Sequence, residues 1–428
     1  MESLNVLLIG GGGREHSIAW KISQSEKLNK LYCAPGNPGT AAYGENVNLD
    51  ISDFDAVALF VNNYNIELVV VGPEAPLVDG IVDFLRERDI AVFGPGKAAS
   101  MLEGSKEFAK DFMIKYDIPT ADYSVFSSTD FDDALKFIQL KESYPIVLKA
   151  DGLAAGKGVF ICDNEDEVKK TLSRLKEDSS LSEAAGRLVV EEFMRGEEAS
   201  VFVISDGHTS HILHNAQDHK RVGEGDTGLN TGGMGAYSPA PIMTPELLEK
   251  VEKEIIQPTI TGMQLEESDY TGILYVGLMI TDEGPKVVEY NCRFGDPECQ
   301  VILPSLENDL LDLMISTTEQ RLDEKSIQLD QKYRCCVVLA SGGYPESYEK
   351  GKKIEGLDKL DDDSILFHAG TKEENGTVYT NGGRVLNVVG SGDTLKRAID
   401  HSYENVKKIN FEGCYYRKDI GSKGLNRL

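Results

Sequence analysis

The sequence predicts a multidomain chain that opens as α/β and continues as α+β. Three observations carry this. Short apolar strands alternate with glycine turns and helices over the first hundred residues, beginning at residues 5–9. A buried strand, residues 146–148, ends in Lys149 and opens into a loop containing Gly152, Gly156 and Gly158. From Glu198 onward, strand-like runs follow one another through short turns, as in an antiparallel sheet.

The bulk numbers narrow the function. With 428 residues the chain has room for about three domains. Its 41% hydrophobic and 27% charged content fits a soluble protein with a large core. A net charge of −27 argues against binding nucleic acid or a membrane surface, since both need basic faces. Seven scattered cysteines without a Cys-x-x-Cys pair indicate free thiols in a reducing compartment, and the cytoplasm is expected. No signal peptide and no apolar run of membrane-spanning length stand out.

In chain order, the strand at 5–9 runs into Gly10, Gly11, Gly12 and Gly13, and a helix follows from Arg14. Strand, glycine turn and helix make a corner whose amides can face an anion. A dinucleotide fold is the alternative, but Gly-x-Gly-x-x-Gly from Gly10 needs glycine where Glu15 stands. Strands at 31–34, 68–71 and 91–93 each end in a Gly/Pro loop, and a helix is expected at 79–88. This first domain spans residues 1–105.

A helix at 105–115, capped by Ser105, stops at Ile118-Pro119. Residues 123–192 form a small α/β lid subdomain inserted in a larger domain, made of 106–122 and 193–328. The lid holds a strand at 123–126, a helix at 130–139, the Lys149 strand and loop, a strand at 158–162, a helix at 165–175 and an acid-ended strand at 188–193. The larger domain holds a strand at 198–204 and the charged cluster Asp218, His219, Lys220 and Arg221. A long polar loop with six glycines follows at 223–235, then a helix at 245–262, strands at 272–280 and 286–290, and a helix at 309–320. The last domain, 329–428, holds a strand at 334–340, a hairpin at 376–386 and a helix at 395–408.

Two stretches carry chemistry. The loop after Lys149 can hold phosphate oxygens on its amides, with Lys149 and Lys157 adding charge, although a hairpin with solvated lysines would read the same way. It is not a Walker loop. Glu289 and Asn291 share one face of a strand, and two oxygen ligands there suit Mg²⁺ or Mn²⁺ completed by phosphates and water. Arg293 stands two residues on, placed either to neutralise a phosphoryl group or carboxylate or to pair with Asp296.

Together these motifs resemble the ATP-grasp fold, and more narrowly the glycinamide ribonucleotide synthetases (phosphoribosylamine–glycine ligases). The matching stretches run in order: Gly10-Gly-Gly-Gly-Arg-Glu-His16, Pro35-Gly-Asn-Pro-Gly39, Gly72-Pro-Glu-Ala-Pro-Leu77, Lys149-Ala-Asp-Gly-Leu-Ala-Ala-Gly-Lys-Gly158, Gln217-Asp-His-Lys-Arg221, Asn230-Thr-Gly-Gly-Met-Gly235 and Asn291-Cys-Arg-Phe-Gly-Asp-Pro-Glu298. The resemblance implies an N-terminal Rossmann-like parallel sheet, a two-subdomain ATP-grasp core and a small C-terminal α+β domain. It implies ligation of glycine to 5-phosphoribosylamine at the expense of ATP, through glycyl phosphate, by a monomer or homodimer. Another carboxylate–amine ligase or a purine-pathway carboxylase is the nearest alternative. A dehydrogenase and a non-catalytic nucleotide binder are more distant ones.

Carried over by position, Lys106 and Lys149 contact ATP phosphates and Gly156, Lys157 and Gly158 close over them. Glu191, Glu192 and Phe193 lie along adenine, and Glu198 takes the ribose hydroxyls. Glu289 and Asn291 hold the metal. Arg293 and Lys149 serve the reacting groups. Asp218, His219, Lys220 and Arg221 meet substrate, and Gly11, Gly12, Gly13, Gly295, Asp296 and Pro297 take the ribose phosphate side. The strand preceding Glu289 reads Tyr275-Val-Gly-Leu-Met279 without an acid, where many ATP-grasp enzymes carry a further metal carboxylate.

Overall fold

The computed structural model describes residues 3–141, 143–153, 158–177 and 186–428. The expected phosphate-closing residues Gly156 and Lys157 lie outside the described residues.

Five parallel strands open the chain, in the spatial order Glu45–Asn46, Leu28–Pro35, Leu4–Gly10, Leu68–Val71, Val92–Phe93. Leu4–Gly10 is central, so Val6, Leu7, Leu8 and Ile9 are all buried, as a parallel strand covered on both faces requires. Ile9 pairs with Ala34 on one side and Val71 on the other. The Gly/Pro loops after these strands therefore leave the sheet along one edge. The helix expected at 79–88 is instead two, Glu74–Asp79 and Ile81–Arg86. Gly80 between them adopts φ +99°, a left-handed conformation that ends the first helix.

Residues 123–192 hold an antiparallel sheet in the order Tyr123–Ser127, Arg187–Glu192, Ile146–Ala150, Val159–Cys162. The helices Phe131–Lys141 and Glu165–Glu177 bring Phe131, Ala134, Ile138, Val168, Leu172 and Leu175 into one apolar cluster with this sheet.

The third sheet has eight antiparallel strands, in the order Gly284–Asn291, Thr271–Thr281, Glu197–Asp206, Ser210–Asp218, Gly235–Ser238, Tyr333–Ala340, Arg384–Gly392, Ile365–His368. The short strand Gly235–Ser238 is the joint, pairing with Ser210–Asp218 on one side and Tyr333–Ala340 on the other. One sheet thus passes from the strand that carries Glu289 and Asn291 into the C-terminal residues.

Two further expectations change here. The polar stretch 223–235 is not structureless, because Arg221–Gly223 and Thr227–Asn230 pair as a hairpin and Gly235 begins a sheet strand. The hairpin expected at 376–386 is formed by Thr371–Glu374 with Thr377–Thr380, turning at Asn375-Gly376, while Arg384 onward joins the large sheet. The helix expected at 245–262 runs from Pro245 to Leu265, with a wide π turn at Glu252–Ile256. Pro258 follows that turn and has no N–H to give to the preceding turn. No helix among the described residues is long and apolar enough to cross a membrane.

Candidate active site

Lys149 lies opposite Val189 on the neighbouring strand, and Glu191 lies opposite Val147. Lys149 and Glu191 are therefore diagonal neighbours on one face of the sheet. Their ion pair spans 2.9 Å, and Lys110 from the helix Lys106–Lys115 approaches the same carboxylate oxygen at 3.3 Å. Glu191 is only 2% exposed, and among the described residues its other oxygen, Oε1, is sealed without a partner. Burial lowers the Lys110 ammonium to about 8 against the pull of Glu191. Lys149 Nζ also donates to Val288 O at 3.2 Å, which ties the lid strand to the strand carrying Glu289.

Lys106 opens its helix at the edge of the glycine loop. Ser105 accepts the Phe108 N–H and donates to Asp151, whose other oxygen takes the Lys106 N–H at 2.5 Å. Two side-chain caps thus fix this N-terminus. The Lys106 ammonium donates to Gly152 O at 2.8 Å, and burial lowers its pKa.

Glu289 stands opposite Gly277, where a Cβ would press on Glu289 Cγ at 3.2 Å. The position facing Glu289 thus carries no side chain at all. Burial pushes the Glu289 carboxyl up, but Lys220, Lys149, Lys106 and Arg293 more than offset this and keep it ionised. Lys220 reaches Glu198 at 2.8 Å and Glu289 at 3.7 Å. Despite burial, Glu198, Tyr275, Asp218 and Glu289 hold Lys220 protonated well above the ordinary lysine range. Lys106, Lys149, Lys220, Glu198 and Glu289 are therefore brought together from five separate stretches of chain. An ionised carboxylate and the neighbouring Asn291 amide oxygen are hard donors that fit a divalent cation sharing its remaining positions with phosphate and water.

Arg293 does not pair with Asp296. Its Nη2 bonds Glu103 at 2.6 Å and Asn291 Oδ1 at 3.2 Å, its Nε bonds Glu74 at 3.2 Å, and its Nη1 donates to Phe294 O. A guanidinium has five N–H donors, so one, on Nη1, is left to face a ligand. Asp296 instead meets Arg384 at 3.3 Å and takes the Arg14 N–H at 3.2 Å. The Gly12 N–H donates to Glu15 at 2.6 Å. Gly11, Gly12, Gly13, Gly295, Asp296 and Pro297 are thus brought to one corner, where the N-terminus of the Gly13–Ile22 helix already faces two carboxylates.

The remaining candidates divide. His219 is fully buried beside Tyr237, turned away from the side of the extended chain that carries Asp218 and Lys220. Burial, with Arg417 and Lys423, lowers its imidazole to about 4. Arg221 bonds Gly228 O within its own hairpin and lines a cavity of about 550 Å³ between Phe160, Lys170 and Arg174 of the lid and Pro345. That cavity touches none of Lys149, Glu191 or Glu289. Glu192 is exposed and accepts the Asp122 N–H, and Phe193 follows the strand end. Glu103, Glu74, Lys110, Asp151 and Glu298 were not anticipated as site residues. Asp151, Glu74 and Glu298 lie within the matching stretches, whereas Glu103 and Lys110 carry no local signal.

Models of three phosphoribosylglycinamide synthetase domains match this chain: the N domain at residues 4–103, the ATP-grasp (A) domain at 104–299 and the C domain at 334–423. It is 50% identical to phosphoribosylamine–glycine ligase of Mesorhizobium japonicum over 99% of each chain. Among solved structures, phosphoribosylamine–glycine ligase of Thermotoga maritima superimposes with a TM-score of 0.84 at 36% identity, covering 97% of this chain and 100% of that one. The MgADP-bound biotin carboxylase domain of Hydrogenobacter thermophilus 2-oxoglutarate carboxylase shares the fold, with a TM-score of 0.73 at 14% identity over 100% of this chain and 99% of that one. A parallel N-terminal sheet, a four-stranded sheet whose lysine and glutamate meet a Glu–Asn strand, and full-length identity of this order have one explanation: the chain belongs to the phosphoribosylglycinamide synthetase family of ATP-grasp ligases.

Proposed function

We propose that the chain joins glycine to 5-phosphoribosylamine, converting ATP to ADP and phosphate and giving glycinamide ribonucleotide in purine biosynthesis. The observation that carries this is the gathering of Lys106, Lys149, Lys220 and Arg293 around the ionised Glu289 in a chain of this family. A carboxylate is a poor electrophile, and phosphorylation supplies a leaving group. Cations fixed before substrate arrives neutralise charge on the transferring phosphoryl group, so catalysis rests on positioning and electrostatics.

In this reading Lys106 and Lys149 take the phosphates, with Gly156, Lys157 and Gly158 over them. Glu191, Glu192 and Phe193 take the adenine side. Glu198 takes ribose hydroxyls. Glu289 and Asn291 would hold Mg²⁺ or Mn²⁺, which supplies charge neutralisation at the phosphates. The remaining Nη1 donor of Arg293 faces the glycine carboxylate. The amine of phosphoribosylamine attacks the glycyl phosphate carbonyl as a neutral nucleophile, and no protein base is required. Glu15 and Asp296 at the glycine corner suit hydroxyl donors of the ribose beside its phosphate. Seven unpaired cysteines support the cytoplasm as its compartment.

The test is phosphate release from ATP with Mg²⁺, glycine and phosphoribosylamine generated in situ. Release that needs both substrates is expected. Turnover with a different carboxylate and none with glycine would overturn the substrate assignment and favour another carboxylate–amine ligase.

A further inference from the structure

Asp218 ends the strand Ser210–Asp218, and Glu298 follows Asp296-Pro297. Both are more than nine-tenths buried, at 7% and 4% exposure. Among the described residues neither carboxylate makes an ion pair or accepts a hydrogen bond from another residue. Other buried or half-buried acids nearby are matched: Glu191 by two lysines, Glu103 by Arg293, Glu15 by Arg14, Asp296 by Arg384. The cations whose charges act on Asp218 and Glu298 are already engaged. Lys220 is held by Glu198, and Arg293 by Glu74 and Glu103. Glu298 is folded back over Gly295, where any Cβ would run into its carboxylate. Neither carboxylate is among the sealed, partnerless atoms of the interior.

Two buried carboxylates without a cation are a site with a missing charge. No group of three or more metal-ligating side chains occurs among the described residues, so a divalent ion held by protein alone does not fit. A primary ammonium does fit, since it is compact and carries three donors for several carboxylate oxygens. An α-amino acid is a zwitterion whose ammonium and carboxylate are one carbon apart. Its ammonium site must adjoin a cation that takes the carboxylate. Glu298 feels the charges of Asp218, Lys220 and Arg293 together, which is that arrangement.

We propose that Glu298 and Asp218 bind the α-ammonium group of the amino-acid substrate and select for a free primary amine beside the reacting carboxylate. This rests on the ligase function argued above. The experiment uses the full chain and compares wild type with Glu298→Gln and Asp218→Asn. Glycine KM is expected to rise about 10²-fold in Glu298→Gln, with ATP KM unchanged, because a buried charge partner is lost. Glycolate, with hydroxyl in place of ammonium, serves as the control inhibitor. Its KI should stay constant or fall in the variants, whereas a general structural defect would weaken glycolate and glycine alike. Should Glu298→Gln not fold, Asp218→Asn carries the same comparison. Direct glycine binding in the presence of a non-hydrolysable ATP analogue provides a second readout. Unchanged glycine affinity in a folded variant, or parallel loss of glycine and glycolate, overturns the proposal. If wild type itself shows no glycine-dependent phosphate release, the ligase function fails and the ammonium pocket falls with it.

Discussion

Two buried charge clusters flank Glu289 and follow opposite plans. On the lid side, Glu191 sits between Lys149 and Lys110, and the charges are satisfied within the protein. On the core side, Asp218 and Glu298 face each other's charge without a cation of their own. Burial and mutual repulsion raise Glu298 to about 8, and burial raises Asp218 to about 6. A balanced cluster holds its geometry before ligand arrives, which suits groups that must stabilise a transition state without reorganising. An unbalanced cluster is completed by what binds it. The same chemistry, buried carboxylates, thus serves as scaffold in one place and as recognition in the other.

The largest effect expected tests the point between them. Glu289→Ala leaves four cations around an empty position, and ligand-dependent phosphate release should fall by about 10³-fold or more while the fold persists. A loss under about tenfold would move the metal site elsewhere.

Stability separates the two clusters directly. Glu191→Ala strands Lys149 and Lys110 side by side in a buried setting, and chemical denaturation should show a loss of about 3 kcal/mol or more. Glu298→Gln replaces a buried acid that has no cation and is held largely protonated near neutral pH, so it should leave stability unchanged or raise it. Equal losses in the two variants would erase the distinction. Arg293→Lys is expected to be intermediate. The charge stays, but a lysine cannot reproduce the fork to Glu103, Glu74, Asn291 and Phe294 O, and about 2 kcal/mol of stability should go.

The two clusters also differ in how far the sequence exposes them. Strand alternation alone puts Glu289 and Asn291 on one face, and the apolar run ending in Lys149 marks its own strand. Such signals are local, within a few residues. The partners of Arg293 lie 190 and 219 residues away, at Glu103 and Glu74, so the nearest acid, Asp296, is the natural but incorrect partner to name. The hairpin inside 223–235 is hidden for the same reason. Its glycines read as loop, whereas its order comes from the C-terminus, where Asp419 takes the Gly225 N–H and Arg417 and Lys423 grip Asp226. Glu298 shows the same limit differently: as sequence it is one more acid after a proline, and only burial without a cation sets it apart.

The finest test concerns adjacent residues whose burial acts on stability in opposite senses. Burial, aided by Arg417 and Lys423, lowers His219 to about 4, while the unfolded imidazole titrates near 6.5. Below about 6.5 the unfolded chain takes up a proton that the native state refuses. His219 thus contributes fully above that pH and loses about 1.4 kcal/mol per pH unit as the pH falls toward 4. Asp218 has the reverse sign. Burial raises it to about 6, so the native state binds a proton before the unfolded carboxyl does, and stability is gained as the pH falls through 6. Denaturation at pH 7, 6 and 5 should therefore show a flatter acid loss in His219→Phe and a steeper one in Asp218→Asn, relative to wild type. The Asp218→Asn chain should also be the more stable at pH 7, because an unmatched buried charge has gone. If both variants bend the profile the same way, Asp218 has a cation partner after all, and the contrast between the matched and unmatched clusters does not hold.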